Sequence, residues 1–151
     1  MKALSLSTPW PTAIQKYGKR VENRERWEPH AHLIAQARRI VGQDLAIHSS
    51  GTYDSKGAEY IQSLTGVLYG RRDVPSKAVT SVVKVTGLLL PGDSCPRGQR
   101  QWYFGSVALV LDNVRVLPRP VPVSGGLGFW NLPADVLAEV NAQLDALTRN
   151  A

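Results

Sequence analysis

A single cysteine, Cys95, leaves this chain without an internal disulfide and without any multi-thiolate metal centre. A reducing compartment is the expectation that follows. Long apolar runs are absent too: the strongest stretch, Gly87 to Leu90, falls far short of the roughly 20 residues that a membrane span needs. Met1 to Trp10 carries Ser, Thr and Pro where a signal peptide would carry a longer apolar run. A soluble, cytoplasmic protein with no membrane contact is expected. His30 and His32 lack a neighbouring thiolate and see only spaced acids, so no metal and no cofactor are expected. Acidic residues are the scarcer charge. Twelve Asp and Glu face 18 Lys and Arg, giving a net charge of +6 and a pI near 9.8, which favours phosphate-bearing or otherwise acidic partners. With 151 residues, no repeats and no break in composition, one domain covering 1–151 is expected.

What is present is a series of short elements. Ala3 to Leu6 alternates as a strand, and the prolines of Ser7 to Thr12 suit the opening of a helix through Ile14 and Tyr17 that Gly18 ends. Arg20 to Trp27 reads as extended. Pro29 to Val41 has helical spacing at Leu33, Ile34, Ala37, Ile40 and Val41, cut short by Gly42. Asp44 to His48 reads as a buried strand running into a loop from Ser49 to Gly57, and Ala58, Ile61, Leu64, Val67 and Leu68 share one helical face, capped by Asp54 or Ser55. Ala78 to Leu90 and Ser106 to Leu117 are strand-like. Pro118, Pro120 and Pro122 make Arg115 to Ser124 an edge or irregular segment. A last helix starts near Pro133, with Val136, Leu137, Val140, Leu144 and Leu147 on its apolar face. Short strands with peripheral helices and no regular βαβ alternation predict a mixed α+β domain around a small barrel-like sheet.

The segment Tyr17-Gly18-Lys19-Arg20-Val21-Glu22-Asn23-Arg24 resembles the Gly, Lys-x-x-Glu-x-Arg signature of ASCH domains. Pro9-Trp10, the strand from Gly42 to His48 and the closing Leu127 to Pro133 element resemble the same family in the same order. The resemblance implies a PUA-like β-barrel with flanking helices. In function it implies an RNA-binding or translation-linked module, although the family also holds an amidohydrolase of acetylated cytidine and an RNA-cleaving member. Here Gly18 directly precedes Lys19, whereas in the family the glycine often stands two positions before the lysine.

Alternation in an extended strand puts Glu22 and Arg24 on one face. A bend after Tyr17 would bring Lys19 to them. Lys19 and Arg24 then supply donors for phosphate or carbonyl oxygens, and Glu22 holds them or accepts from an amino group on a base. In the amidohydrolase, as the resemblance implies, a threonine nucleophile stands at the position of Glu22, which has no hydroxyl. The adjacent carboxylate predicts a cationic Lys19 suited to anion binding. The bland alternative is an exposed ion network of small energy.

Further candidates are His48, as a base, a contact or a core-edge histidine; Tyr53 and Lys56, on a hydroxyl-rich loop; and Ser124 with the glycines after it, as an anion-binding turn. Trp10 and Trp130 are candidates for stacking on a base or for packing in the core. Arg38-Arg39, Arg71-Arg72 and Arg97 to Arg100 are expected to be solvated. The function expected is binding of single-stranded RNA or a nucleotide in a basic cleft. The alternative is a ribonuclease or a modified-nucleoside hydrolase using Lys19 with Tyr53, Lys56, His48 or Ser124.

Overall fold

In the computed structural model, which describes residues 1–150, six strands form one mixed sheet. They are β1 (Lys2–Thr8), β2 (Val21–Asn23), β3 (Asp44–Tyr53), β4 (Ala78–Leu89), β5 (Ala108–Pro122) and β6 (Phe129–Asn131), in the order β2-β5-β4-β3-β1-β6. Four helices accompany them: α1 (Trp10–Lys16), α2 (Ala31–Ile40), α3 (Ser55–Thr65) and α4 (Ala134–Arg149). β1 and β3 run parallel, and the other neighbours are antiparallel.

Period-two alternation covers both faces of the sheet. Leu4, Leu6, Leu45, Ile47, Val83 and Val85 turn to one core with Ile14, Ala37 and Ile40 from α1 and α2. Their neighbours Ala3, Ala46 and Val82 turn to a second core under Val136 and Val140 of α4. The sheet must curl strongly. Four strand positions separate β2 from β1, about 19 Å in a flat sheet at the usual spacing. Yet Arg24, the residue after β2, donates from Nη2 to the carbonyl of Ser5 in β1 at 3.1 Å. The barrel expected from sequence is therefore a half-barrel whose open seam is bridged by a side chain.

Local chemistry sets the ends of the elements. The Asp54 side chain accepts from the Gly57 N–H at 2.9 Å and caps α3. Left-handed Gly66 stops that helix, so Val67 and Leu68, assigned by spacing to its apolar face, lie beyond it and are exposed.

Two expectations need correction. Ser49–Tyr53 continues β3 rather than forming a loop, because it pairs with Ala78 in β4 and with Thr8 in β1. Of the Arg20–Trp27 stretch only Val21–Asn23 is strand, and Glu25–Trp27 is a turn of 3-10 helix. The three prolines do not end β5. They lie beyond the reach of β2, where β5 has a partner on one side only, and Pro118 and Pro120 fall in a break of the β4 register between Val116 and Val121, the edge and irregular character expected of this segment.

Candidate functional site

The bend after α1 is built by several groups. Gly18 takes a φ of +72°, the left-handed turn that a glycine makes at little cost. Gln99, buried and distant in sequence, clamps it by donating to the Gly18 carbonyl at 3.0 Å and accepting from the Arg20 N–H at 2.7 Å. The chain then enters β2 with the charged residues of the motif together. Glu22 Oε1 lies 3.2 Å from Lys19 Nζ, and its Oε2 lies 2.9 Å from Arg24 Nη2.

Lys19 is only 1% exposed. Its ammonium also donates to the Val21 carbonyl and sits 5.5 Å from the Trp10 ring centroid. Burial pulls its pKa below the usual lysine value, the Glu22 carboxylate opposes that shift, and the Arg24 guanidinium adds to it. In the folded chain desolvation is the larger influence, because the ammonium is enclosed rather than presented to solvent. Arg24 is the more accessible cation, with 22% of its side chain exposed. Its guanidinium stacks 5.5 Å from the Trp27 centroid, and its buried Nε has no acceptor among the described residues.

A cleft of about 310 Å³ lies along the seam, lined by Ser5, Ser7, Trp10, Lys19, Glu22, Asn23, Arg24, Glu25, Asp54 and Phe104, among others. Trp10 is held by an Nε1 hydrogen bond to Asp54 at 2.8 Å. Phe104 is 54% exposed and stands edge-on to Trp10 at 6.3 Å, its N–H tied to Asn23 Oδ1. A second lobe of about 600 Å³ shares Ser5, Ser7 and Arg24 and adds His48, Ser50, Gly51, Lys77 and Ser124 to Gly128. A basic cleft lined by Lys19, Glu22, Arg24 and an aromatic side chain was expected. Instead the first lobe sets two cations against the carboxylates of Glu22, Glu25 and Asp54, whereas the second carries Arg24 and Lys77 with no carboxylate.

Of the residues singled out by sequence, Trp10, Lys19, Glu22 and Arg24 meet in the first lobe, and His48 and Ser124 line the second. Trp130 sits behind the wall. Its Nε1 donates to Ser5 Oγ at 3.1 Å, and its ring meets His48 edge-on at 5.2 Å. Tyr53 and Lys56 line neither lobe. The Tyr53 hydroxyl donates to the Tyr69 carbonyl at 2.7 Å under a stacked Arg71, and Lys56 is exposed on α3. His30 and His32 are exposed at the start of α2, and no metal-binding group of His, Cys, Asp and Glu occurs among the described residues. No described helix is long and apolar enough to cross a membrane.

Sequence reasoning missed Ser5, Ser7, Asn23, Lys77, Gln99 and Phe104. Ser5 and Ser7 carried a usable signal, since they are the polar half of the β1 alternation. The others reach the site by long-range folding alone.

In structure the chain is similar to the ASCH protein of Zymomonas mobilis, at 14% identity, a TM-score of 0.50 and coverage of 93% of each chain. The fold is that of the ASCH proteins. A serine-to-alanine mutant and a tyrosine-to-phenylalanine mutant of that protein match with a TM-score of 0.51 each, again at 14% identity. They cover 93% of this chain and 94% and 96% of theirs. No family model and no curated protein matches the sequence. At this identity the likeness carries the architecture alone: a six-stranded half-barrel with four helices.

Proposed function

We propose that this ASCH-fold chain binds single-stranded RNA or a nucleotide along the seam, with the base in the first lobe and phosphate in the second. The observation that carries the reading is the division of charge between lobes that share Arg24. A nucleobase offers amino groups and a π-face. Glu22, Asn23 and Asp54 supply acceptors, and Phe104 supplies an exposed ring for stacking. A phosphate calls for cations and N–H donors without nearby carboxylates, which matches Arg24, Lys77 and the glycines after Ser124. Buried and doubly held, Lys19 acts as the fixed counter-charge that orients Glu22, rather than as a phosphate contact. The alternative of a ribonuclease or nucleoside amidohydrolase has less support where it uses Lys19 with Tyr53 or Lys56, because the Tyr53 hydroxyl is engaged outside the cleft and Lys56 lines neither lobe.

Fluorescence anisotropy with labelled single-stranded RNA across a salt series tests the proposal. Affinity should fall linearly on a log-log plot. Lys77→Ala should lower the slope by about 1, as expected for one lost phosphate contact. Phe104→Ala should weaken binding by about 1–3 kcal/mol without changing the slope. No binding at low salt, or a flat salt response, would remove the reading.

A further inference from the structure

The geometry points to a reactive centre in the cleft: Ser5 as a nucleophile and His48 as its general base, acting on carboxylic esters. The two residues are register partners on the parallel strands β1 and β3 and project on one face. Ser5 Oγ lies 2.9 Å from His48 Nδ1, and His48 Nε2 lies 2.8 Å from the carbonyl oxygen of Val123.

The protons in this network can be placed by elimination. A carbonyl oxygen only accepts, so His48 Nε2 carries a hydrogen and donates it to Val123. In the neutral ring Nδ1 is then a lone pair, and the Ser5 hydroxyl donates to it. The Trp130 indole N–H, also a pure donor, reaches Ser5 Oγ at 3.1 Å and keeps the hydroxyl proton turned toward the imidazole. Burial favours the neutral ring, holding the His48 pKa below the ordinary histidine value against the Val123 hydrogen bond. A nucleophile bonded to a base that a third group orients is the arrangement that activates a serine. Here the third group is a backbone carbonyl.

Substrate access and oxyanion binding have counterparts as well. Ser5 lines both lobes of the cleft. Gly125 passes so close that a Cβ there would lie 2.6 Å from Ser5 Oγ and 2.7 Å from His48 Cε1, so a glycine is what leaves the hydroxyl uncovered. The N–H groups of Gly125 and Gly126 make no backbone–backbone hydrogen bond among the described residues. In this proposal they would supply the donors to a carbonyl oxygen developing charge beside Ser5.

In the reaction, Ser5 Oγ bonds to the ester carbonyl carbon while its proton passes to His48 Nδ1. Collapse of the tetrahedral intermediate breaks the C–O bond, and the departing alcohol takes that proton. Water then attacks the acyl-serine with His48 again as base, releasing the acid and restoring the hydroxyl.

A fluorophosphonate probe, which couples to activated serines with loss of fluoride, tests this by intact mass and peptide mapping. Wild-type protein should gain a single adduct on Ser5. Ser5→Ala should gain none, His48→Asn should label at least about 100-fold more slowly, the lower end for loss of a general base, and Gly125→Ala should be blocked although both side chains remain. Circular dichroism checks that each variant is folded. No adduct on the wild type, an adduct on another residue, or equal labelling of a folded His48→Asn variant would each overturn the assignment. The probe carries no nucleobase, so this pair and nucleotide binding can fail independently.

Discussion

Replacing Lys19 by Met keeps an unbranched stem of similar reach and removes the ammonium alone. Lys19 is 1% exposed and ties Glu22 Oε1 at 3.2 Å, so the variant leaves a buried carboxylate short of a partner. Breaking such a pair costs about 3–5 kcal/mol. Arg24 still meets the other carboxylate oxygen at 2.9 Å, which places the cost at the lower end, about 3 kcal/mol. For a domain of this size that is a fall in Tm of about 6–12 °C. Calorimetry or denaturant unfolding measures it, and the double variant Lys19→Met/Glu22→Gln should recover at least about 1 kcal/mol, because contacting charges couple. A loss below about 0.5 kcal/mol, as for an exposed ion pair, or strict additivity in the cycle, would refute the enclosed-network account. The pH dependence gives a second check. Folded Lys19 releases its proton below the usual value of 10.5. Between those two values the unfolded chain holds the extra proton, so stability rises with pH through the window. Lys19→Met should lack that rise. Tyr69, raised by its hydrogen bond to Tyr17, and Tyr103, raised by burial, act in the opposite sense, and both remain in the variant, so the difference curve isolates Lys19.

Gly57→Ala should destabilise the protein, although alanine is the better helix former by about 1 kcal/mol. The new Cβ would lie 2.7 Å from Asp54 Oδ2 and 2.8 Å from Trp10 Nε1, so thermal unfolding should move down and RNA affinity should fall with the displaced Trp10. His48 has its pKa lowered from 6.5 by burial. The neutral ring thus contributes stability that is complete above 6.5 and is lost as pH falls through the folded-state value. His48→Asn should flatten stability against pH across that acidic limb, as read by denaturant midpoints.

Local rules reached far along this chain. The alternation in Ala3 to Leu6 and Asp44 to His48, the Gly18 stop and the Asp54 cap all describe interactions within a few residues, and each element stands where those residues put it. The motif of Lys19, Glu22 and Arg24 was legible because a strand and a glycine bend give near neighbours little choice of geometry. Strand pairing was not legible where composition argued against it, as in Ser49–Tyr53, because a ladder partner outweighs local propensity. Tertiary structure alone decided that Lys19 is buried, that Gln99 clamps its bend, that Phe104 and Lys77 reach the cleft, and that Tyr53 does not. It also set Ser5 against His48, 43 residues apart in sequence. Parallel pairing of β1 with β3 is a long-range event, and only the curl of the sheet turns such pairs toward a common seam.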